Sequence, residues 1–207
     1  QVPENIVVNA TGLVTEVAIG VGSAVDAVDG EVLLISSFND PFFLPGVHVV
    51  EWLATDNSGN RGRVEQNIHV VPMVDFIPDQ VAVEGGSVRV AMVLNGPAPV
   101  YPVTVPYQVS GTANVNEDHA LLEGEFVFAD AEQRAELSFD VLSDALADAN
   151  ETIILSMGKP VNAVAGVRRQ HQVTVLEGNV APRVMLSVEQ AGRSGNVLTQ
   201  DGGGVQV

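Results

Sequence analysis

Residues 135–157 read AELSFDVLSDALADANETIILSM, and their reading decides the fold. Ala135, Leu137, Phe139 and Val141 alternate with Glu136, Ser138 and Asp140, a period of two that gives an extended strand one apolar and one polar face. Ile153, Leu155 and Met157 resume the pattern after a break. The break, Ser143 to Thr152, carries Asp144, Asp148 and Glu151. Carboxylates gathered at about 4–5 Å repel by roughly 3–4 kcal/mol per pair at an effective dielectric near 20, so such a loop is solvated, protonated or occupied by a cation. Oxygen-only donors point to calcium.

Working outward, the same alternation recurs at Val88, Val90, Met92 and Leu94, at Val103, Val105, Tyr107 and Val109, at Phe126 and Phe128, and at His171, Val173 and Val175. Towards the N-terminus it is shorter: Ile6 and Val8; Val17, Ile19 and Val21; Leu33 and Ile35. His48, Val50, Trp52 and Ala54 then share one face of a strand, and Val64, Gln66, Ile68 and Val70 share one face of the next. Asn39-Asp40-Pro41, Pro45-Gly46 and Asp56-Asn57-Ser58-Gly59-Asn60 are turn signals. No segment keeps a helical period with caps, so the expectation is all-β. Pro72 removes a ladder donor where one sheet would run into the next, which puts a boundary there. The division expected is residues 1–72, 73–180 and 181–207, two sandwiches and the truncated start of a further β domain marked by Val184, Leu186, Val188, Val205 and Val207. That last segment is too short to bury a core alone and is expected to pack on its neighbour or stay poorly ordered.

Composition narrows the function. The 207 residues suffice for two cores, and the net charge of −17 argues against nucleic acid and anionic lipid surfaces, which are bound through Lys and Arg. The charge divides as −7, −10 and 0 over the three segments, so the acidity belongs to the two sandwiches. Absence of cysteine excludes disulfides, thiolate metal sites and a cysteine nucleophile. No run of about 18 apolar residues is present, so membrane insertion of this segment is not expected. Gln1 without a signal core and Val207 within a strand-like pattern lead one to expect a piece of a longer protein.

Catalytic patterns are missing. His48, His69, His119 and His171 are scattered without an HExxH pair, no GxSxG elbow or phosphate-cradling loop occurs, and Gly202-Gly203-Gly204 reads as a turn or linker. His48 and His171 fall on apolar faces and read as satisfied core residues. Asp26-Ala27-Val28-Asp29-Gly30 and Asp56 read as turns, because the spacing does not match an EF-hand.

Two resemblances sharpen these expectations. Asp26-Ala27-Val28-Asp29-Gly30 followed by Val50-Glu51-Trp52-Leu53-Ala54-Thr55-Asp56-Asn57-Ser58-Gly59-Asn60 resembles the hyalin-repeat (HYR) group of immunoglobulin-like domains. That group implies an extracellular adhesion or spacer module. Val83-Glu84-Gly85-Gly86-Ser87-Val88, Gly111-Thr112-Ala113-Asn114 with Glu117-Asp118, and Val173-Thr174-Val175-Leu176-Glu177 together resemble a Calx-beta domain. Carried over position by position, that resemblance implies a calcium site at one end of an immunoglobulin-like sandwich, held by Glu84, Asp118, Asp144, Asp148 and Glu151. Ser143-Asp144 stands where calcium-binding members usually pair two Asp, and Leu176-Glu177-Gly178-Asn179 where they carry an Asp run. A single weak ion is therefore expected, in the range of about 10⁻⁴–10⁻³ M typical of extracellular modules.

The function expected is a non-enzymatic, calcium-binding structural or adhesion module of a secreted or surface-anchored bacterial protein. Its partners would be the calcium ion, neighbouring domains of the same chain, and a cell-surface protein or glycan. Two alternatives stay open: an accessory domain pair of a secreted carbohydrate-active or proteolytic enzyme, and a calcium-sensing region of a membrane protein.

Overall fold

The computed structural model describes residues 1, 3–143, 149–176 and 178, together with the backbone of residues 189–190 and 193–194. Every regular element among these is a strand. The first unit contains β1 (Ile6–Asn9), β2 (Thr15–Glu16), β3 (Ala24–Asp26), β4 (Gly30–Val32), β5 (Leu34–Ser36), β6 (Phe42–Phe43), β7 (Gly46–Thr55) and β8 (Arg61–Val71). Its main sheet runs in the order β1-β8-β7-β5, with β1 parallel to β8 and the other pairs antiparallel. Two separate ribbons complete the unit, β2-β6, which brings Phe43 onto the core, and β3-β4.

Alternation on β7 and β8 holds in the inner part of the sheet, while Val64, expected on the same inward face, is exposed near the hairpin tip. Val50, Trp52, Ile68 and Val70 turn inward and are buried with Ala10, Val17 and Phe43. Gln66 shares that face and is fully buried, a position that costs heavily unless every polar atom is paired. It is paired: Oε1 accepts from Trp52 Nε1 at 3.1 Å, and Nε2 donates to the carbonyls of Glu4 and Ile19 at 2.6 and 3.1 Å. One side chain thus pins two irregular segments onto the sheet.

The short N-terminal strands depart from expectation. Only Thr15–Glu16 is extended in a ladder, and Val21 is 95% exposed, so Val17, Ile19 and Val21 do not form one strand face. Leu33 is exposed between β4 and β5, and Leu34, not Leu33 or Ile35, packs against the core. Short strands at the edge of a small core have few partners to enforce a period of two.

The second unit contains β9 (Met73–Phe76), β10 (Gln80–Val83), β11 (Ser87–Leu94), β12 (Val103–Gly111), β13 (Gly124–Phe128), β14 (Arg134–Asp140), β15 (Glu151–Met157), β16 (Val164–Ala165) and β17 (Gln170–Leu176). A five-stranded sheet, β10-β17-β15-β12-β13, faces a four-stranded one, β14-β11-β9-β16. Val90, Met92, Phe76 and Val74 from one sheet meet Val103, Val105, Phe128, Ile153, Leu155 and Val173 from the other in a single core. Phe76 and Phe126 meet edge-on across it, 5.9 Å between ring centres. In the last segment, β18 (Glu189–Gln190) pairs with β19 (Arg193–Ser194). The other residues from 181 to 207, including the apolar pattern at Val184, Leu186, Val188, Val205 and Val207, lie outside the described residues.

The two polarities of β9 and β17 set the geometry that matters for function. Strand β9 starts at the junction with the first unit, and β11, antiparallel to it, runs so that Leu94 lies near that junction and Ser87 far from it. Strand β17 ends beside Val83, at the same far end.

Candidate metal centre

At that far end the backbone draws together the turns that carry the sequence-predicted acids. Glu84 follows β10 directly and its amide donates to the carbonyl of Leu176 at 3.2 Å. Gly85 adopts φ +73°, a left-handed conformation suited to glycine, and its amide donates to Val141 at 3.0 Å. The Glu84 carboxylate reaches over Gly178, where a Cβ would come within 3.4 Å of Oε2. Glu151 opens β15 and pairs with Val175. Asp118 closes a loop in which its Oδ2 accepts from the Asn114 amide at 2.6 Å, and its carbonyl accepts from Leu142 at 2.8 Å. Asp144 and Asp148 lie outside the described residues.

Two supports of this end act through contacts that no local sequence pattern shows. His119 is buried beneath the Asp118 loop, bridged to Val141, and its Nδ1 accepts from the Leu121 amide at 3.1 Å. Burial holds its pKa below the usual histidine value, which keeps the ring neutral and able to accept that bond. Gly111 sits at φ +134°, and a Cβ there would collide with the Thr152 carbonyl. This close approach lets Thr152 accept from both Thr112 and Ala113, at 3.0 and 3.1 Å, locking the strand that leads to Asp118 against the one that starts at Glu151.

The other histidines are ordinary in part. His48 is half-buried and bonded through Nε2 to the Leu44 carbonyl at 2.7 Å. His171 is fully buried with Nδ1 on the Ile77 carbonyl at 3.1 Å, yet its Nε2 has no hydrogen-bond partner. The expectation of a satisfied core histidine therefore holds for only one of its two nitrogens.

A second acidic group stands at the far end of the first unit. Asp26, Asp29 and Asp56 each offer an oxygen within 4.8 Å of the others. Among the described residues it is the one set of three or more metal-capable side chains gathered that tightly; Glu84, Asp118 and Glu151 share an end without forming such a set. The turns read from the sequence are present and are what assemble it. Asp26 Oδ1 accepts from Val28 and Asp29 at 2.8 and 3.0 Å, Asp29 Oδ2 from Asn57 at 2.9 Å, and Asp56 Oδ1 from Asn60 at 2.7 Å. The bonds from Asp29 and Val28 hold the Asp26 carboxyl below its usual pKa. Asp26 and Asp56 also line a cleft with Leu34, Trp52, Arg61 and Arg63. The sequence signal was the pair of hairpin turns, but which turns meet is a tertiary fact.

No protein-family model matches the chain, and no curated protein does. Among solved structures it is similar to the apo form of the Calx CBD1 domain, at 19% identity and a TM-score of 0.48 over 53% of this chain and 99% of that one. It is also similar to CBD12 from CALX1.2, at 19% identity and a TM-score of 0.45 over 51% of this chain and 44% of that one. The Calx CBD2 domain aligns at 15% identity with a TM-score of 0.43, over 52% of this chain and 87% of that one. Overlaps this loose leave the functional reading to the chain's own residues.

Proposed function

We propose that this chain is a non-enzymatic, calcium-binding structural module from an extracellular bacterial multidomain protein. Its ion would sit at the far end of the second unit, held by Glu84, Asp118 and Glu151 with Asp144 and Asp148. The observation that carries the reading is the hydrogen-bonded convergence of the Glu84 turn, the Asp118 loop and the start of β15 on one end of one sandwich. The Calx-beta-like motifs and the −10 charge of residues 73–180 support it. Six to eight oxygens are within reach of five carboxylates supplemented by backbone carbonyls and water.

This end points away from the first unit and towards whatever follows β17. An ion there would stiffen the exit from the sandwich, tying the Glu84 turn to the loop before β15. Non-covalent partners would be the next domain of the chain and, at the surface, a protein or glycan. The Asp26, Asp29, Asp56 group favours a second reading, in which the ion binds at the entry end instead.

Thermal melts separate the two. At about 10 mM calcium and a Kd of about 10⁻⁴–10⁻³ M, binding adds roughly 1.4–2.7 kcal/mol and raises Tm by several degrees. The double variant Asp144→Asn, Asp148→Asn should lose that shift while Asp26→Asn, Asp56→Asn keeps it. The opposite pattern would move the ion to the first unit, and no shift in the unaltered chain would reject calcium at both.

A further inference from the structure

We infer that the joint between the two units is a fixed coupling set by packing and hydrogen bonds alone, so that the pair acts as one rigid spacer whether or not an ion is bound. The link is a single residue: β8 ends at Val71 and β9 begins at Met73. Met73 belongs to both units, since its backbone pairs with Val164 in the second while its side chain packs against the core of the first. The polar backbone groups around it are taken. The Val71 carbonyl accepts from Ala10 at 2.8 Å, the Pro72 carbonyl from Val164 at 2.9 Å, and the Met73 carbonyl from Asn95 at 3.0 Å. Asn95 is the clamp: its Oδ1 accepts from the Met73 amide at 2.8 Å and its Nδ2 donates to the Gly12 carbonyl of the first unit at 2.7 Å.

Two proline-glycine steps interlock beside it. A Cβ on Gly96 would lie 2.9 Å from Pro45 Cβ, and one on Gly46, which sits at φ +129°, would lie 3.2 Å from Pro97 Cγ. Each proline ring therefore occupies the space a larger residue on the other unit would need. Short linkers with small polar interfaces leave domains to hinge; here the interdigitation and the filled hydrogen-bond set remove that freedom. None of these contacts uses a carboxylate. Both acidic groups lie at the opposite ends of their units, beyond the β7–β8 hairpin tip and beyond β10 and β17. Ions there would leave this joint unchanged.

The chain has no cysteine, so Ser58→Cys and Glu123→Cys, both exposed and on different units, give a spin-label pair for pulsed electron resonance. In EGTA the full chain should show one narrow distance distribution, unaltered by about 10 mM calcium chloride. Asn95→Ala should widen it roughly twofold with or without the ion, whereas Glu84→Gln should leave it narrow. A distribution that is broad in EGTA, or that narrows only on adding calcium, overturns the inference. So does an unchanged width in a folded Asn95→Ala variant, and if that variant does not fold, the unaltered pair in EGTA decides. Failure of the calcium reading is seen separately, as no heat on titration with calcium chloride, and does not touch this result.

Discussion

Gln66 shows how one polar residue can organise a small core. It stands at an inward position of β8, where alternation alone would place Val or Ile, and it repays its burial by holding Trp52, Glu4 and Ile19 together. Gln66→Ala should cost about 2–4 kcal/mol, because the Trp52 indole N–H is left without its acceptor as well as the cavity. Urea unfolding followed by Trp52 fluorescence measures it, and a loss under about 1 kcal/mol would show that water replaces the amide. Gly111→Ala should cost about 2–3 kcal/mol through strain and displacement of Thr152, and should weaken calcium binding more than an equally destabilising change in the opposite sheet. The glycine was visible as part of Gly111-Thr112-Ala113-Asn114; its contact with Thr152 was not, because a close approach between strands 40 residues apart leaves no local pattern.

At the level of elements, the long strands were legible and the short ones were not. Val88, Val90, Met92 and Leu94 face a full opposing sheet, so core burial enforces their period of two. Leu33 and Leu34 sit where the chain passes from β4 into β5, the edge strand of the main sheet, where a single kink decides which turns in, and the exposed Leu33 reports that choice. The turns that carry Glu84, Asp118 and Glu151 were legible as motifs, while the support His119 gives beneath them was not. Its consequence is a pH dependence. The folded-state pKa of His119 lies below the ordinary 6.5, so the unfolded chain takes up the proton first. Stability from this group is complete above about 6.5 and is lost as pH falls from there towards the depressed folded value. The urea midpoint should therefore fall between about pH 7.5 and about pH 5.5, and His119→Phe should flatten that fall. Equal slopes in the two proteins would show that the ring titrates as in the unfolded chain.

Over the whole molecule, the two units divide the labour unequally. The first has a small core and one main sheet with two separate ribbons, the second a large core between two full sheets. Trp52, the sole tryptophan, reports the first unit. Its fluorescence should change at lower urea than the main loss of far-UV strand signal, and coincident transitions would mean that the Asn95 joint couples the units into one cooperative block. The acidic turns stand at the outer ends and the joint between the units is uncharged, so under the proposed reading an ion would act at an outer end and leave the joint as it is. The most direct test is a calorimetric titration of calcium chloride into the chain and into Asp118→Asn. The account predicts saturable heat with a Kd of about 10⁻⁴–10⁻³ M in the first and at least roughly tenfold weaker binding in the second. No heat at millimolar calcium, or identical isotherms for the two proteins, would contradict an ion at the end of the second sandwich.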